Sequence, residues 1–175
     1  PIFGLLRRLH SLDPQSLPQL AIQIAWARDP LLRATASTIL NTSEGDRVDA
    51  DSLSVAIDAT FGDQYSPLNQ HKIARNAASS WTQSGHLIGR AKKTRQRIKP
   101  TPIAVTMALF LGLTADYHGP AVFSSPWCQL LDLSADRARA CAQDANRSGL
   151  LDLRAVGDVI ELRFPRLAEF QVTTL

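Results

Sequence analysis

The feature that most restricts the fold of this 175-residue chain is a series of polar residues followed directly by proline. These pairs are Asp29-Pro30, Ser66-Pro67, Thr101-Pro102 and Ser125-Pro126. A Ser, Thr or Asp side chain accepts a hydrogen bond from a free N–H of the first helical turn, and proline suits the first helical position. The first three pairs therefore predict helix starts, and the fourth begins a short segment that ends near Leu133.

Apolar spacing and further capping residues predict the other helices. Ser16 and Ser134 are expected as N-caps of two of them, and Asp49 or Asp51 as the N-cap of a third. Residues 41–49, NTSEGDRVD, are rich in turn formers and predict a loop. The predicted helices cover approximately residues 1–13, 17–28, 31–40, 50–61, 67–84, 103–117 and 135–147.

Extended segments follow two of these helices. Residues 150–156 and 159–164 flank Gly157-Asp158, which is a two-residue hairpin signal. Residues 86–99 predict two short strands or an extended arm around Gly89. The segments SGHLIGR and SGLLDLR mark matching points in the two halves. Because helices followed by a two-stranded hairpin describe a winged helix-turn-helix, the expected fold is mostly α, with two winged helix-turn-helix-like units that have short β-hairpin wings. The expected division is residues 1–100 and residues 101–175.

Composition excludes several classes of protein. The chain is 45% hydrophobic, which is too apolar for a disordered protein, and two cysteines do not make a disulfide scaffold. The longest apolar stretch, residues 103–115, is shorter than the roughly 20 residues that span a bilayer. No leader with a cleavage site is visible, and the start at Pro1 suggests a trimmed or partial N-terminus. We therefore expect a cytoplasmic protein that has no membrane partner.

The basic residues are concentrated in the middle of the chain. No Asp or Glu occurs between Asp63 and Asp116, whereas eight Lys and Arg residues do. The remaining residues carry eleven basic and sixteen acidic side chains, a net charge of −5. Such segregation favours a polyanionic partner more strongly than the overall charge of +3 does.

The helix over residues 67–84 and the basic arm that follows it, which we define as residues 90–99, are the candidate DNA-binding elements. The helix carries a polar stripe without acids, and Asn, Gln and Lys side chains suit base edges and phosphates. Alternation would place the side chains of residues 93, 95, 97 and 99 on one side of a strand. An ordinary solvated helix face, or a polybasic patch for anionic lipid, are the alternatives for these elements. The candidate DNA-contacting residues are Asn69, Gln70, Lys72, Arg75, Asn76, Ser79, Gln83, Arg90, Lys92, Lys93, Arg95, Arg97 and Lys99.

The second half of the chain is less suited to DNA, since its predicted helix and hairpin carry charges of both signs. We expect it to be a structural or protein-contact module, which leaves a protein-interaction adaptor as the alternative function. No catalytic motif or metal-ligand spacing is visible, so neither an enzyme, a cofactor, a metal nor a small-molecule substrate is expected. Cys128 and Cys141 lack any CxxC spacing.

Two segments carry a family resemblance. The run LNQHKIARNAASSWTQSGHL with its basic arm, and the ending PWCQLLDLSADRARACAQDANRSGLLDLRAVGDVIELRFP, resemble the small accessory protein of bacterial BREX phage-defence systems. The similarity covers roughly residues 30–167. It implies winged-helix units, duplex DNA as a partner, and a cytoplasmic antiviral role beside other phage-defence proteins. Family members have also been labelled as inner-membrane proteins, which the short apolar stretch argues against here. No residue role is transferred from the family.

Overall fold

The computed structural model describes residues 2–168 and 170, and these residues are mostly helical with two small antiparallel sheets. The sheets contain β1 (Arg47–Val48), β2 (Leu87–Ile88), β3 (Lys93–Arg95), β4 (Asp152–Val156) and β5 (Val159–Arg163). Short 3₁₀ turns lie at Pro14–Ser16, Gly62–Gln64, Gly119–Ser124 and Pro165–Leu167. The α-helices are α1 (Ile2–Leu12), α2 (Leu17–Arg28), α3 (Pro30–Ala34), α4 (Ala36–Asn41), α5 (Ala50–Phe61), α6 (Pro67–Gln83), α7 (Pro102–Thr114), α8 (Pro126–Leu130) and α9 (Ala135–Arg147).

The first three polar residue–proline pairs begin helices as predicted, and the short segment after the fourth pair also begins as a helix, α8. Asp29 Oδ1 accepts hydrogen bonds from the backbone N–H groups of Leu31 and Leu32, at 2.9 and 3.2 Å. Ser66, Thr101 and Ser125 cap their helices in the same way, and proline follows each of them at the first turn. Asp49 and Ser134 are also confirmed as N-caps, of α5 and α9 respectively.

The expected role of Ser16 as an N-cap is wrong. Its side chain is buried, and its hydroxyl lies 2.6 Å from Thr101 Oγ1 and also donates to the Asp13 carboxylate. Asp13 is the residue that caps here, since it accepts from the backbone N–H of Gln15 at the start of the 3₁₀ turn Pro14–Ser16. Ser16 therefore joins the start of α2 to the start of α7.

The contacts divide the chain into a unit of Ile24–Ile98 and a unit of Pro1–Gln23 with Lys99–Leu175. This grouping differs from the expected division at residue 100, because the N-terminal helices pack with the C-terminal segment. Side chains on α2 make the connection. Gln19 Nε2 donates to the carbonyl oxygen of Lys99 at 2.8 Å, and Gln23 Nε2 donates to that of Ala104 at 3.1 Å.

The unit of Ile24–Ile98 is built on the pairing of α5 with α6. Trp81 of α6 is fully buried, and its indole Nε1 donates to Thr35 Oγ1 at 2.8 Å. The His86 ring packs edge-on against Trp81, with the ring centroids 5.0 Å apart. The three short strands form a sheet in the order β1-β3-β2, with Arg47 opposite Thr94 and Leu87 opposite Arg95. The predicted loop over residues 41–49 is thus wrong at its end, where β1 lies.

In the other unit, α7 is buried over most of its length and packs against α1, α8 and α9. The predicted hairpin is confirmed, and β4 pairs with β5 so that Asp152 lies opposite Arg163 and Val156 opposite Val159. Gly157 has a φ of +60°, the left-handed conformation that this tight turn needs. Residues 1, 169 and 171–175 lie outside the described residues. Across residues 2–168 and 170, no helix combines the length and apolar character needed to cross a membrane.

Candidate nucleic-acid interface

Helix α6 presents one buried face and one polar face. Ala74, Ala77, Ala78 and Trp81 are buried, and α5 packs against this helix. Small alanine side chains allow α6 to pack closely against its neighbours. This packing fixes the orientation of the helix and thus of its polar face. Of the predicted DNA-contacting residues, six on α6 have exposed side chains, namely Asn69, Lys72, Arg75, Asn76, Ser79 and Gln83.

Gln70 does not belong to this exposed set. Its side chain is only 9% exposed, and its Nε2 donates to Asp58 Oδ1 at 2.7 Å and to the Gly62 carbonyl at 3.4 Å. These bonds connect the start of α6 with the end of α5. Gln70 is one helical step from Asn69, and that step of about 100° turns it from the polar stripe to the packed face.

Arg95 is also placed differently from the prediction. The side chain is 1% exposed, and its Nη1 donates to the backbone carbonyl groups of His86 and Gln96. The alternation rule places Arg95 on one face of a strand, but here that face is the interior of the unit. Arg95 thus holds β2 and β3 together rather than lying on the surface.

The rest of the basic arm is divided between surface and packing roles. Arg90, Lys92 and Arg97 are exposed, whereas Lys93 is half-buried and its Nζ donates to Thr82 Oγ1 at 2.8 Å. The backbone N–H of Arg97 donates to the Glu44 carboxylate at 3.1 Å. An acid from outside residues 64–115, the acid-free window of the sequence, therefore lies beside the arm. Lys99 is exposed and belongs to the other unit.

A cleft of about 400 Å³ lies where β1, the start of α5, α6 and the β2–β3 turn meet. Four basic side chains line it, namely Arg47 of β1, Arg75 of α6, Arg90 of the β2–β3 turn and Lys93 at the start of β3. The one carboxylate in the lining, that of Asp49, is already engaged as the α5 cap and accepts from the backbone N–H of Ser52 at 2.9 Å. The cleft therefore has a positive charge that its own residues do not balance.

Arg47 is the cleft residue that the sequence analysis does not identify. It lies in a segment predicted as a loop, and only the pairing of β1 with β3 brings it beside the basic arm. A weak signal exists in the segment itself, since Arg47-Val48 is an alternating polar–apolar pair and Val48 is buried. Two residues are too few for such a pattern to predict a strand.

The unit of Pro1–Gln23 with Lys99–Leu175, which we call the second unit, carries charged side chains of both signs. Arg163 forms an ion pair with Glu161 at 2.6 Å, and Arg147 forms one with Asp144. These pairs neutralise two of the arginines that would otherwise be available to a phosphate. At the tip of the β4–β5 hairpin, Val156 and Val159 are 80% and 72% exposed.

The two cysteines are free thiols in the second unit. Burial raises the pKa of Cys128 from its ordinary value of 9.0 to about 11, against an opposing effect of the Ser125 hydrogen bond. Burial also raises the pKa of Cys141, and the nearby Arg137 partly offsets that rise. Within the described part of the chain, no three His, Cys, Asp or Glu side chains come together as a metal site would require.

Comparison with protein-family models, with curated proteins and with solved structures finds no match to this chain. The resemblance to the BREX accessory protein therefore stays a prediction from the sequence.

Proposed function

We propose that this protein binds duplex DNA through the unit of Ile24–Ile98, and that it does so as a winged helix-turn-helix. The order of elements supports this proposal, since a strand, two helices and a two-stranded hairpin follow one another as β1, α5, α6, β2 and β3. Five residues, 62–66, connect α5 to α6. In this arrangement α6 is the recognition helix in the major groove, and the β2–β3 turn with the basic arm contacts the backbone.

The observation that carries the proposal is the position of the exposed cations. Arg75 and Ser79 of α6 and Arg90 of the β2–β3 turn border one positively charged cleft, to which β1 also contributes a cation. Phosphate contacts supply most of the affinity of such an interface and carry no sequence information. We infer binding with weak sequence specificity and without a chemical step. Duplex DNA mixed with the protein and Mg²⁺ is thus expected to remain uncut.

Binding to two unrelated duplexes over a range of salt concentrations tests this proposal. Neutralising about five phosphates gives a log–log slope near −4.5, with similar affinities for the two sequences. No binding at low salt would overturn the proposal.

A charge swap locates the interface. We expect Arg90→Glu, Lys92→Glu and Arg97→Glu together to abolish binding, because three cations beside the phosphates become acids. All three side chains are exposed, so the fold is expected to tolerate the change. Arg95 is left unchanged, since it is buried and its substitution would unfold the unit. The matched control is Arg7→Glu, Arg8→Glu and Arg154→Glu in the other unit, which changes the net charge equally. Equal effects of the two triple variants would contradict an interface at the arm.

We also propose, on the sequence resemblance, that the protein is a cytoplasmic accessory factor of a BREX system. Deletion of its gene from a host that carries such a system is expected to restore phage plating. Complementation with the arm charge-swap variant would then fail if DNA binding serves the defence role, and full restoration of defence by that variant would separate the two properties.

A protein-interaction adaptor is a second candidate, and it is the exposed pair Val156 and Val159 that favours it. Burial of these apolar side chains against a partner protein removes them from water and stabilises the complex. Affinity purification from nuclease-treated lysate, repeated with Val156→Thr and Val159→Thr, tests this function. A partner retained by the parent protein and lost by the double variant would support it.

A further inference from the structure

We propose that the cleft of Arg47, Arg75 and Arg90 is a binding site for a single phosphate group. This inference rests on the proposed function, because it assigns the cleft to one phosphodiester of bound duplex DNA. It adds a residue, Arg47, that lies neither on the recognition helix nor in the basic arm. The site lies wholly within the unit of Ile24–Ile98.

The first argument is the state of the three guanidinium groups. Each comes from a different element, with Arg47 on β1, Arg75 on α6 and Arg90 in the β2–β3 turn. Among residues 2–168 and 170, none of the three has a side-chain hydrogen bond or an ion pair. In contrast, Lys93 in the same cleft donates to Thr82 Oγ1 and the Gly89 carbonyl. Three cations therefore face one cleft without a partner, and an anion would relieve their mutual repulsion.

The second argument is the chemistry of the donors. A guanidinium group presents its N–H donors as a planar fork that matches two oxygens of a phosphate. Forks that come from three different elements around one cleft suit a tetrahedral anion better than a planar carboxylate. The Ser79 hydroxyl and the Asp49 carboxylate, which also line the cleft, already have hydrogen-bond partners within the protein. Binding of an anion is therefore left to the arginines. Ser79 Oγ donates to the Arg75 carbonyl, and Asp49 accepts from the backbone of α5.

The third argument concerns the position of the cleft relative to α6. Arg75 and Ser79 border the cleft and also lie on the exposed side of α6. A phosphate bound there lies at the edge of the recognition helix and beside the basic arm. Such a contact fixes the register of the helix on the duplex but reads no base. We therefore assign Arg47 a sequence-independent role.

The test uses the full-length chain with Arg47→Gln, and with Arg90→Gln as a second variant. Both side chains are exposed, and the backbone pairing of β1 does not need the guanidinium group. We expect each variant to reduce the magnitude of the salt slope by about 0.9 and the DNA affinity by about tenfold, equally on two unrelated duplexes. Arg8→Gln, on α1 of the other unit, is the control with the same change of charge and is expected to leave the slope unchanged.

A second measurement asks whether the cleft binds phosphate without DNA. Inorganic phosphate is added to the protein at constant ionic strength, and the Nε–H resonances of the arginines are followed by NMR. We expect those of Arg47, Arg75 and Arg90 to shift together, and Arg47→Gln to remove the shifts of the other two. Chloride at the same ionic strength is the control anion.

The outcomes separate the inference from the proposed function. If the parent protein does not bind DNA, the proposed function fails, and the phosphate titration alone decides whether a free phosphate group is the ligand. If the parent protein binds DNA but Arg47→Gln keeps the parent slope, the assignment to a DNA phosphodiester is overturned. Absence of phosphate-induced shifts as well would overturn the site itself.

Discussion

Gln70 and Gln83 lie on the same helix, but the structure gives them opposite environments. Gln70 bonds to Asp58 and Gly62, whereas Gln83 is exposed at the end of α6. We expect Gln70→Ala to lower the free energy of unfolding by about 1–2 kcal/mol, because Asp58 loses a hydrogen-bond partner. Gln83→Ala, an exposed substitution, is expected to change it by less than about 0.5 kcal/mol.

Chemical denaturation measures the stability of both glutamine variants, and DNA affinity is measured under conditions where both are folded. We expect a small loss of affinity for Gln83→Ala and none for Gln70→Ala. A Gln70 variant with parental stability and weakened DNA binding would return that residue to the interface.

Cys128 couples stability to alkaline pH. Its pKa is raised to about 11 by burial, so the folded state resists loss of the thiol proton that the unfolded chain gives up near pH 9.0. The corresponding stability is fully present below pH 9, and about 2–3 kcal/mol of it is lost as the pH rises towards and past 11. Denaturation curves between pH 8 and 11 measure this loss.

The comparison of the parent protein with Cys128→Ala isolates the thiol from the lysines and tyrosines that titrate in the same range. We expect the alkaline loss to be smaller in the variant, even though its stability at pH 8 is lower because a buried side chain is shortened. Parallel stability–pH curves for the two proteins would mean that the Cys128 thiol ionises equally in both states.

Residue identity predicts local chemistry well and burial poorly. The polar stripe of α6 follows from helical spacing alone, and its five predicted residues, Asn69, Lys72, Asn76, Ser79 and Gln83, are all exposed. Arg95 shows the limit of this reasoning. Alternation along β3 predicts that its side chain lies on the same face as those of residues 93 and 97, but it does not predict which face of the strand is buried. The covered face depends on the pairing of β3 between β1 and β2, and contacts so distant in sequence leave no local pattern.

At the scale of elements, the turn between β2 and β3 depends on Gly89. Its φ is +101°, and a Cβ there would lie 2.0 Å from the carbonyl oxygen of Lys92. Gly45 has a similar φ of +92°, but apart from its chain neighbours no heavy atom of the described residues lies within 4 Å of its added Cβ. The two glycines therefore separate the cost of a left-handed backbone from the cost of a collision.

We expect Gly45→Ala to destabilise the protein by about 1 kcal/mol, the usual cost of a side chain at positive φ. Gly89→Ala is expected to cost at least twice as much, because the Lys92 backbone must move and the β2–β3 turn with it. Thermal unfolding of both variants measures the difference. Since Arg90 follows Gly89 directly, the Gly89 variant should also lose DNA affinity, whereas equal melting temperatures for the two variants would contradict the collision.

Most of the helices were predictable because their start signals are local. A cap and a proline act within one turn, so Ser66-Pro67 and Ser134 mark α6 and α9 whatever the rest of the chain does. Strand β1 has two residues and exists only through its pairing with β3, so its own sequence carries almost no information. The same reason hides Arg47 from sequence analysis, although the charge of the cleft depends on it.

At the scale of the whole molecule, the net charge belongs to one unit. Residues 24–98 contain ten basic and seven acidic side chains, a net of +3, whereas residues 1–23 and 99–175 contain nine of each. In the proposed binding of DNA, long-range attraction would act on this difference before any specific contact forms. The acid-free window of the sequence extends past Lys99 and includes α7. Helix α7 is mostly buried and has no charged side chain, so this part of the window adds no positive charge.

This distribution predicts where DNA protects the chain. Hydrogen exchange of the full-length protein, measured with and without a short duplex, is expected to slow in α6 and in the β2–β3 turn. Residues 99–168 are expected to change little, because their cations are balanced by acids and two arginines are already paired. Bound DNA stabilises the unit that it contacts, so the slow-exchanging core of α5 and α6 should also gain protection. Protection concentrated instead in α9 and the β4–β5 hairpin would assign the interface to the second unit.

The same measurement with the arm charge-swap variant should show no protection in either unit, since without Arg90, Lys92 and Arg97 the phosphate contacts that carry the affinity are lost.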